Sequence, residues 1–307
     1  IPTCEEIFYV SIGIDQLPCK VFSEPIQKLD LLHNKWKFFH SAVDYGLSVP
    51  QTRLITKIDD VLKAYSQCKE KVIKPVYSRF SANILILPAL KHALSKLTYD
   101  STLIAQDYVE GNQICTYSIC HSGKITAHSA YSSNFTAGQG AMIVFKHIHH
   151  PDIFEWVKTF VEKKQFTGQI SFDFIQSLDG HIYALECNPR TTSGVHLLAS
   201  HPKFVEAFIN PDLECITPIG DRSYMLSIMM LLYGLPSALK KRNFREWLRT
   251  FVKSIDVILD VKDPLPFLFQ YRSVLSYLQI AYKQRINILE ASTFDIEWNG
   301  HQIESVI

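Results

Sequence analysis

The chain has 307 residues, 47% hydrophobic and 20% charged, with 31 Lys and Arg against 30 Asp and Glu. A formal charge of +1 argues against the broad basic face that nucleic acid or an anionic membrane surface would need. No apolar run reaches the roughly 18 residues of a spanning helix, and the length suggests about two domains. A charged segment followed by an apolar one, as in a secretory signal, is absent from the chain as given, so the expectation is a cytoplasmic protein. Seven cysteines without a CxxC pair read as reduced, half-buried small hydrophobes. Asn134-Phe135-Thr136 is taken as a chance sequon. His147, His149 and His150 lack an acidic or Cys partner at ligand spacing and are not read as a metal site.

The segment from Ile1 to about Pro25 has a short apolar run, Ile7 to Val10, and no closed architecture of its own. Asp30 is expected to cap one helix running to Tyr45, with Leu31, Leu32, Trp36, Phe39 and Val43 on its apolar stripe and Gly46 as its stop. Short strands are expected at Arg53 to Thr56, Lys71 to Lys74 and Asn83 to Leu87, with helices from Asp59 to Tyr65 and from Ala89 to Leu97. Strands then follow at Leu103 to Val109, Ile114 to Cys120 and Ile125 to Tyr131, separated by turn-like Glu110-Gly111-Asn112 and His121-Ser122-Gly123. Pro151 sits where a helix would start, and Ile153 to Val161 carries a 3.6-residue stripe. Two more strands precede a mostly helical tail from about Pro202 to Arg285, in which Tyr224 to Leu235 reads as a buried helix. Phe294 to Gly300 suggests a last hairpin. This order of elements argues an α+β fold with a helical C-terminal extension.

The strongest signal lies between Gly168 and His196. Ile170 to Gln176 and Ile182 to Asn188 each alternate, and Asp179-Gly180 between them predicts a two-residue hairpin turn. That turn sets a register in which Asp173 faces Glu186, Ser171 faces Asn188, Phe172 faces Cys187 and Phe174 faces Leu185. Two carboxylates so placed lie about 5 Å apart at Cβ and repel, and no neighbouring pair on that face supplies a positive charge. A hard divalent cation on Asp173, Glu186 and Asn188 would relieve the conflict; so would a shared proton or a distant Lys or Arg. Arg190, past Pro189, is placed to reach a phosphate.

Leu185-Glu186-Cys187-Asn188-Pro189-Arg190, with Asp173 on the partner strand, resembles the metal-binding signature of ATP-grasp enzymes, in the branch near carbamoyl-phosphate synthetase, biotin carboxylase and the carboxylate–amine ligases. Four further landmarks follow in order. Asn34-Lys35 with Gly46-Leu47-Ser48-Val49-Pro50 resembles the family's first helix and its phosphate-binding lysine. Val72-Ile73-Lys74-Pro75 resembles the strand bearing the second ATP lysine. Gln106-Asp107-Tyr108-Val109 resembles the adenine and ribose hinge, and Gln113 stands where a ribose-binding glutamate is common. One departure is the loop Val76 to Asn83, which has no glycine, so that Ser78, Arg79 and Ser81 would have to donate to phosphate through their side chains.

The resemblance implies an ATP-grasp fold, two α+β lobes gripping ATP. Its divisions would be 1–28 (the remnant of a preceding domain, with Pro2 to Glu6 as its last strand-to-turn), 29–107 (the first helix and small lobe), 108–210 (the large lobe with the metal site) and 211–307 (the helical extension). It implies a ligase that activates a carboxylate as an acyl phosphate and joins it to an amine. The cofactors would be ATP and Mg2+, with Mn2+ as the alternative ion, and the partners a small-molecule carboxylate and amine, with no nucleic acid and no membrane. ATP would be held by Lys35, Lys74, Ser78, Gln106, Asp107, Tyr108, Val109 and Gln113. The metal would be held by Asp173, Glu186 and Asn188, and Arg190 and Arg79 would act in catalysis. The competing expectation is an ATP-binding module without turnover.

Overall fold

The computed structural model describes residues 4–67, 70–78, 84–95, 102–138 and 140–300. The first element among the described residues is helix α1 (Glu6–Ile12), preceded by a turn at Cys4 and Glu5; Pro2 and Thr3 of the expected strand-to-turn lie outside the described residues. The single helix expected from Asp30 to Tyr45 is two: α2 (Ile26–His33) and α3 (Lys35–Asp44). Asn34 separates them because its side-chain oxygen accepts from the Trp36 and Lys37 N–H groups, at 3.1 and 3.0 Å. A cap is worth about 1 kcal/mol. Here it restarts the helix one residue before Lys35.

A four-stranded antiparallel sheet follows, built from β1 (Thr52–Ile55), β2 (Lys71–Pro75), β3 (Leu85–Ile86) and β4 (Leu103–Asp107) in the order β1-β4-β2-β3. Helices α4 (Ile58–Gln67) and α5 (Leu90–Ser95) cover one face, and Ile55, Val61, Ala64, Ile73, Ala93 and Ala105 form its small core.

The second sheet has seven strands. β5 (Gly111–His121), β6 (Lys124–Ser132), β9 (Val144–His147), β10 (Gly168–Ser177), β11 (Ile182–Asn188), β12 (Ser223–Met225) and β13 (Ile255–Asp256) run in the order β11-β10-β5-β6-β9-β12-β13. The C-terminal extension therefore adds two short strands to this sheet. Tyr224 to Leu235 is not one buried helix: β12 gives way to a helix at Ser227–Met229 and a wider turn at Met230–Gly234. β7 (Thr136–Ala137) and β8 (Ala141–Met142) pair as a separate two-stranded antiparallel ribbon between β6 and β9 in the chain. Phe294 to Ile296 forms a turn and Glu297 to Asn299 takes no regular structure, while the return half of the expected hairpin lies outside the described residues; Trp298 is buried against Phe8.

Helix α6 (Pro151–Lys164) starts at a proline, as expected, and ends at Gln165 in the left-handed conformation. Its Trp156 and Phe160 pack on Phe172 and Phe174 of β10 and on Phe38 of α3, all in one fully buried cluster. Each such side chain contributes about 1.5–3 kcal/mol of burial, and together they fix β10 against the helices that carry Lys35. Among the described residues no helix is long and apolar enough to cross a membrane.

Candidate active site

Strands β10 and β11 pair with Asp173 opposite Glu186, Phe172 opposite Cys187 and Ser171 opposite Asn188, as the alternation predicts. The route to that register differs. Ser177 and His181 close the hairpin, leaving three residues in the turn, with Gly180 at φ +89°. A three-residue turn of this kind needs a left-handed residue at its end, which glycine supplies. The extra turn residue shifts the register by one, so Phe174 faces Ala184 rather than Leu185. A bulge at Leu185 then absorbs one residue and restores the pairing at Asp173 and Glu186. The bulge also turns the Leu185 carbonyl toward Lys74 Nζ, at 3.4 Å.

The positive charge absent from the hairpin arrives from other elements. Lys35, the first residue of α3, places Nζ 3.2 Å from Glu186 Oε2 and 3.0 Å from the Ser78 carbonyl. Lys74, from β2 of the other sheet, reaches the same carboxylate cluster. Both side chains are buried, at 3% and 4% exposure. A buried lysine at a helix N-terminus opposes the helix dipole, and two buried ammoniums oppose each other. An anion answers both.

The protonation equilibria follow from this packing. Burial lowers the Lys74 ammonium to about 8, although Glu186 opposes the shift. Burial alone would raise the Glu186 carboxyl, but Lys35 and Lys74 outweigh it and hold it below the usual range. Asp173 goes the other way: burial and the Glu186 charge push it well above a normal carboxyl. Neighbouring Cys115 and Tyr131 are raised, chiefly by burial. Lysines relieve Glu186, and Asp173 is left with the unfavourable charge.

All the donors in this cluster are hard oxygens: two carboxylates and the Asn188 amide, which is 8% exposed. Among the described residues no group of three His, Cys, Asp or Glu side chains could cage a metal, the His147 to His150 segment included. His147 Nδ1 pairs with the Ala130 carbonyl, and His150 Nδ1 accepts from Ile153 N–H at the start of α6. Two carboxylates plus one amide suit Mg2+, which keeps waters and shares phosphate oxygens rather than filling an all-protein cage.

Arg190 joins the cluster through its Nη2, 3.2 Å from Asn188 Oδ1. Its Nε lies 2.7 Å from Glu5 Oε1, an ion pair the sequence did not announce. Glu5 is fully buried just before α1 and sits opposite Arg190 across 185 positions of chain, so no local pattern could have found it.

The hinge residues are more committed than expected. Gln106 Nε2 donates to Thr52 Oγ1, and Asp107 forms an ion pair with Lys71. The Asp107 and Tyr108 N–H groups donate to the Gln51 and Glu70 carbonyls. Among the described residues this leaves Val109 as the hinge amide with no acceptor. Gln113 donates to the Gly140 carbonyl, at 3.4 Å, and lines the mouth of a cavity. Ser78 enters through its carbonyl on Lys35, whereas Arg79 and the rest of the loop to Asn83 lie outside the described residues.

A sequence model of the ATP-grasp domain family matches residues 32–194. An uncharacterized protein of Methanocaldococcus jannaschii is 20% identical over 269 residues, 84% of this chain and 66% of that protein. Among solved structures, the phosphoribosylamine–glycine ligase of Thermotoga maritima superposes with a TM-score of 0.54 at 15% identity, over 66% of this chain and 61% of that one. An N5-carboxyaminoimidazole ribonucleotide synthetase in its ADP complex superposes with a TM-score of 0.60 at 15% identity, over 78% and 67%. At these identities the likeness shows the fold. The chain spans about two thirds or less of the length of these proteins.

Proposed function

The chain belongs to the ATP-grasp family, and from that premise we propose that it is an ATP- and Mg2+-dependent ligase, activating a small-molecule carboxylate as an acyl phosphate and joining it to an amine. The observation that carries this reading is the meeting of Lys35, Lys74, Glu186 and Asp173 from four separate elements in one largely buried cluster. A structural role gives no reason to bury two ammoniums beside a pair of coupled carboxylates. The neighbours named for ADP complexes and for ligation of glycine support the same class of chemistry.

In this reading residues 29–107 and 108–210 are the lobes that grip ATP. Lys35 and Lys74 bind the phosphates, and Val109 meets the base edge at the hinge. The substrate carboxylate oxygen attacks the γ-phosphorus, the bond to the β–γ bridging oxygen breaks, and ADP leaves. The amine nitrogen then attacks the acyl carbon, inorganic phosphate leaves, and the amine loses a proton. Lys35, Lys74 and Arg190 neutralise charge that grows on the transferred phosphoryl group. Asp173, Glu186 and Asn188 would hold Mg2+, which when bound supplies further neutralisation of the phosphate oxygens. Ser78 would help hold the phosphates and Arg79 would act in catalysis.

One observation favours a second reading, ATP binding without turnover: Glu5 already holds the Arg190 Nε. ADP release from Mg-ATP, measured with paired carboxylic acids and amines, separates the two. Release that requires both an acid and an amine supports the ligase; tight ATP binding with no acid-dependent ADP release supports the module.

A further inference from the structure

Beyond the carboxylate cluster lies a cavity of about 580 Å3. Small-molecule sites span roughly 300–1,000 Å3. None of Gln106, Asp107, Tyr108 or Val109 lines it, so it is distinct from the hinge. One end carries Asp173, Glu186 and Arg190, and these are the only Asp, Glu, Lys or Arg side chains among its described lining residues. The other end is apolar, with Ile143, Leu226, Met229 and Leu289. Ile143, Met229 and Leu289 meet in one apolar cluster with Met230 and Trp247 beneath them. Leu226, Met229 and Leu289 remain half-buried, with surface left to give to a ligand.

We propose that this cavity receives a carboxylic acid with an uncharged, largely apolar body, its carboxylate at Arg190 and its body against the wall built by the C-terminal extension. The proposal rests on the ligase reading above. A second charge on the acid's far end would be withdrawn from water with no opposite charge to meet it, and an unpaired buried charge is strongly disfavoured. The other titratable side chains lining it favour their neutral forms: burial raises Cys4, Cys115 and Tyr131, and it lowers His196, which is stacked on Phe145, with Asp256 opposing. An apolar body loses nothing there and gains by covering the exposed flanks of Leu226 and Met229.

The test uses the chain with a non-hydrolysable ATP analogue and Mg2+. Binding of leucine and 4-methylpentanoate is measured by calorimetry against glutamate, lysine and glutarate, and ADP release from ATP is then measured with the same acids and a panel of amines. We expect the apolar acids to bind at least about tenfold more tightly. Met229→Lys should erase that preference, whereas Met229→Leu should keep it. Equal or tighter binding of the charged acids overturns the proposal, as does binding of no acid at all. Preferential binding of apolar acids without ADP release from any of them leaves the cavity assignment standing and removes the ligase reading. ADP release driven best by a charged acid removes the cavity assignment alone.

Discussion

The two ends of that cavity are made in different ways. Its charged end comes from one hairpin, β10 and β11, whose alternation and paired carboxylates are written in about twenty consecutive residues. Its apolar end is drawn from Ile143, Leu226, Met229 and Leu289, three stretches far apart in the chain that meet only through packing. A polar site built on cross-strand pairs leaves a local trace because each partner's position follows from the register. An apolar wall leaves none, since Ile, Leu and Met look the same in sequence wherever they end up.

The largest effect should come at the charged end. Glu186→Gln removes a ligand charge and the partner of Lys35, and turnover should fall by about three orders of magnitude, roughly 4 kcal/mol of barrier. The measurement is ADP release at saturating ATP with circular dichroism as the check on folding. Turnover within a few-fold of the parent would remove the metal and phosphate assignment from this hairpin.

At the other end, Trp247 fills the cluster beneath the apolar wall and donates from Nε1 to the Met230 carbonyl at 3.0 Å. Trp247→Ala should cost about 3–5 kcal/mol of stability. If the two ends are independent in binding as they are in sequence, ATP affinity in this variant should hold within twofold below its melting transition. A parallel loss of ATP affinity would show that the extension supports the nucleotide site as well.

The sequence reached the right facing pair through a wrong turn. A three-residue turn and a bulge at Leu185 cancel, so Asp173 meets Glu186 although Phe174 does not meet Leu185. The bulge is invisible to alternation because Leu185 is apolar like its neighbours. Lys35 was legible as a landmark, but its placement depends on Asn34. The apolar stripe from Leu31 to Phe39 runs unbroken through that residue, which hides the restart of the helix. Glu5 was not legible at all. Its partner Arg190 lies far away in the chain, just past the end of β11, and short segments such as Glu6–Ile12 carry too few turns to separate helix from strand by period.

Lys74 tests the hold on phosphate from the four-stranded sheet. Lys74→Met should weaken ATP binding by about 1.5–3 kcal/mol, the range for a hydrogen bond to a charged group. The pH dependence gives a second reading on the parent. The Lys74 ammonium is lowered to about 8, so it is charged below that pH and neutral above it. ATP favours the charged form. Affinity should therefore be flat below about pH 8 and fall by up to about tenfold per unit above it, with proton uptake on binding. Titration calorimetry in buffers of different ionisation enthalpy measures both. In Lys74→Met the slope should vanish; if it persists, another group carries it.

The smallest effect has the opposite sign. Asp173 carries the unfavourable charge of the pair, because burial and Glu186 raise its carboxyl well above the usual aspartate range. A carboxyl raised in the fold favours folding fully only below its unfolded value, and that contribution is lost as pH rises through the folded value. At neutral pH the charged form of Asp173 is thus a cost, since like charges directly opposite on paired strands are destabilising. Asp173→Asn should raise the melting temperature of the ligand-free chain at neutral and higher pH, and the gain should shrink as pH falls toward about 4. Saturating Mg-ATP should reverse the order, stabilising the parent more than the variant, since only the parent offers both carboxylates to a cation. Scanning calorimetry at three pH values with and without Mg-ATP reads every one of these signs. A variant less stable than its parent in the ligand-free state would mean that Asp173 is paired within the fold, and that the carboxylates are matched by Lys35, Lys74 and Arg190 with no cation required.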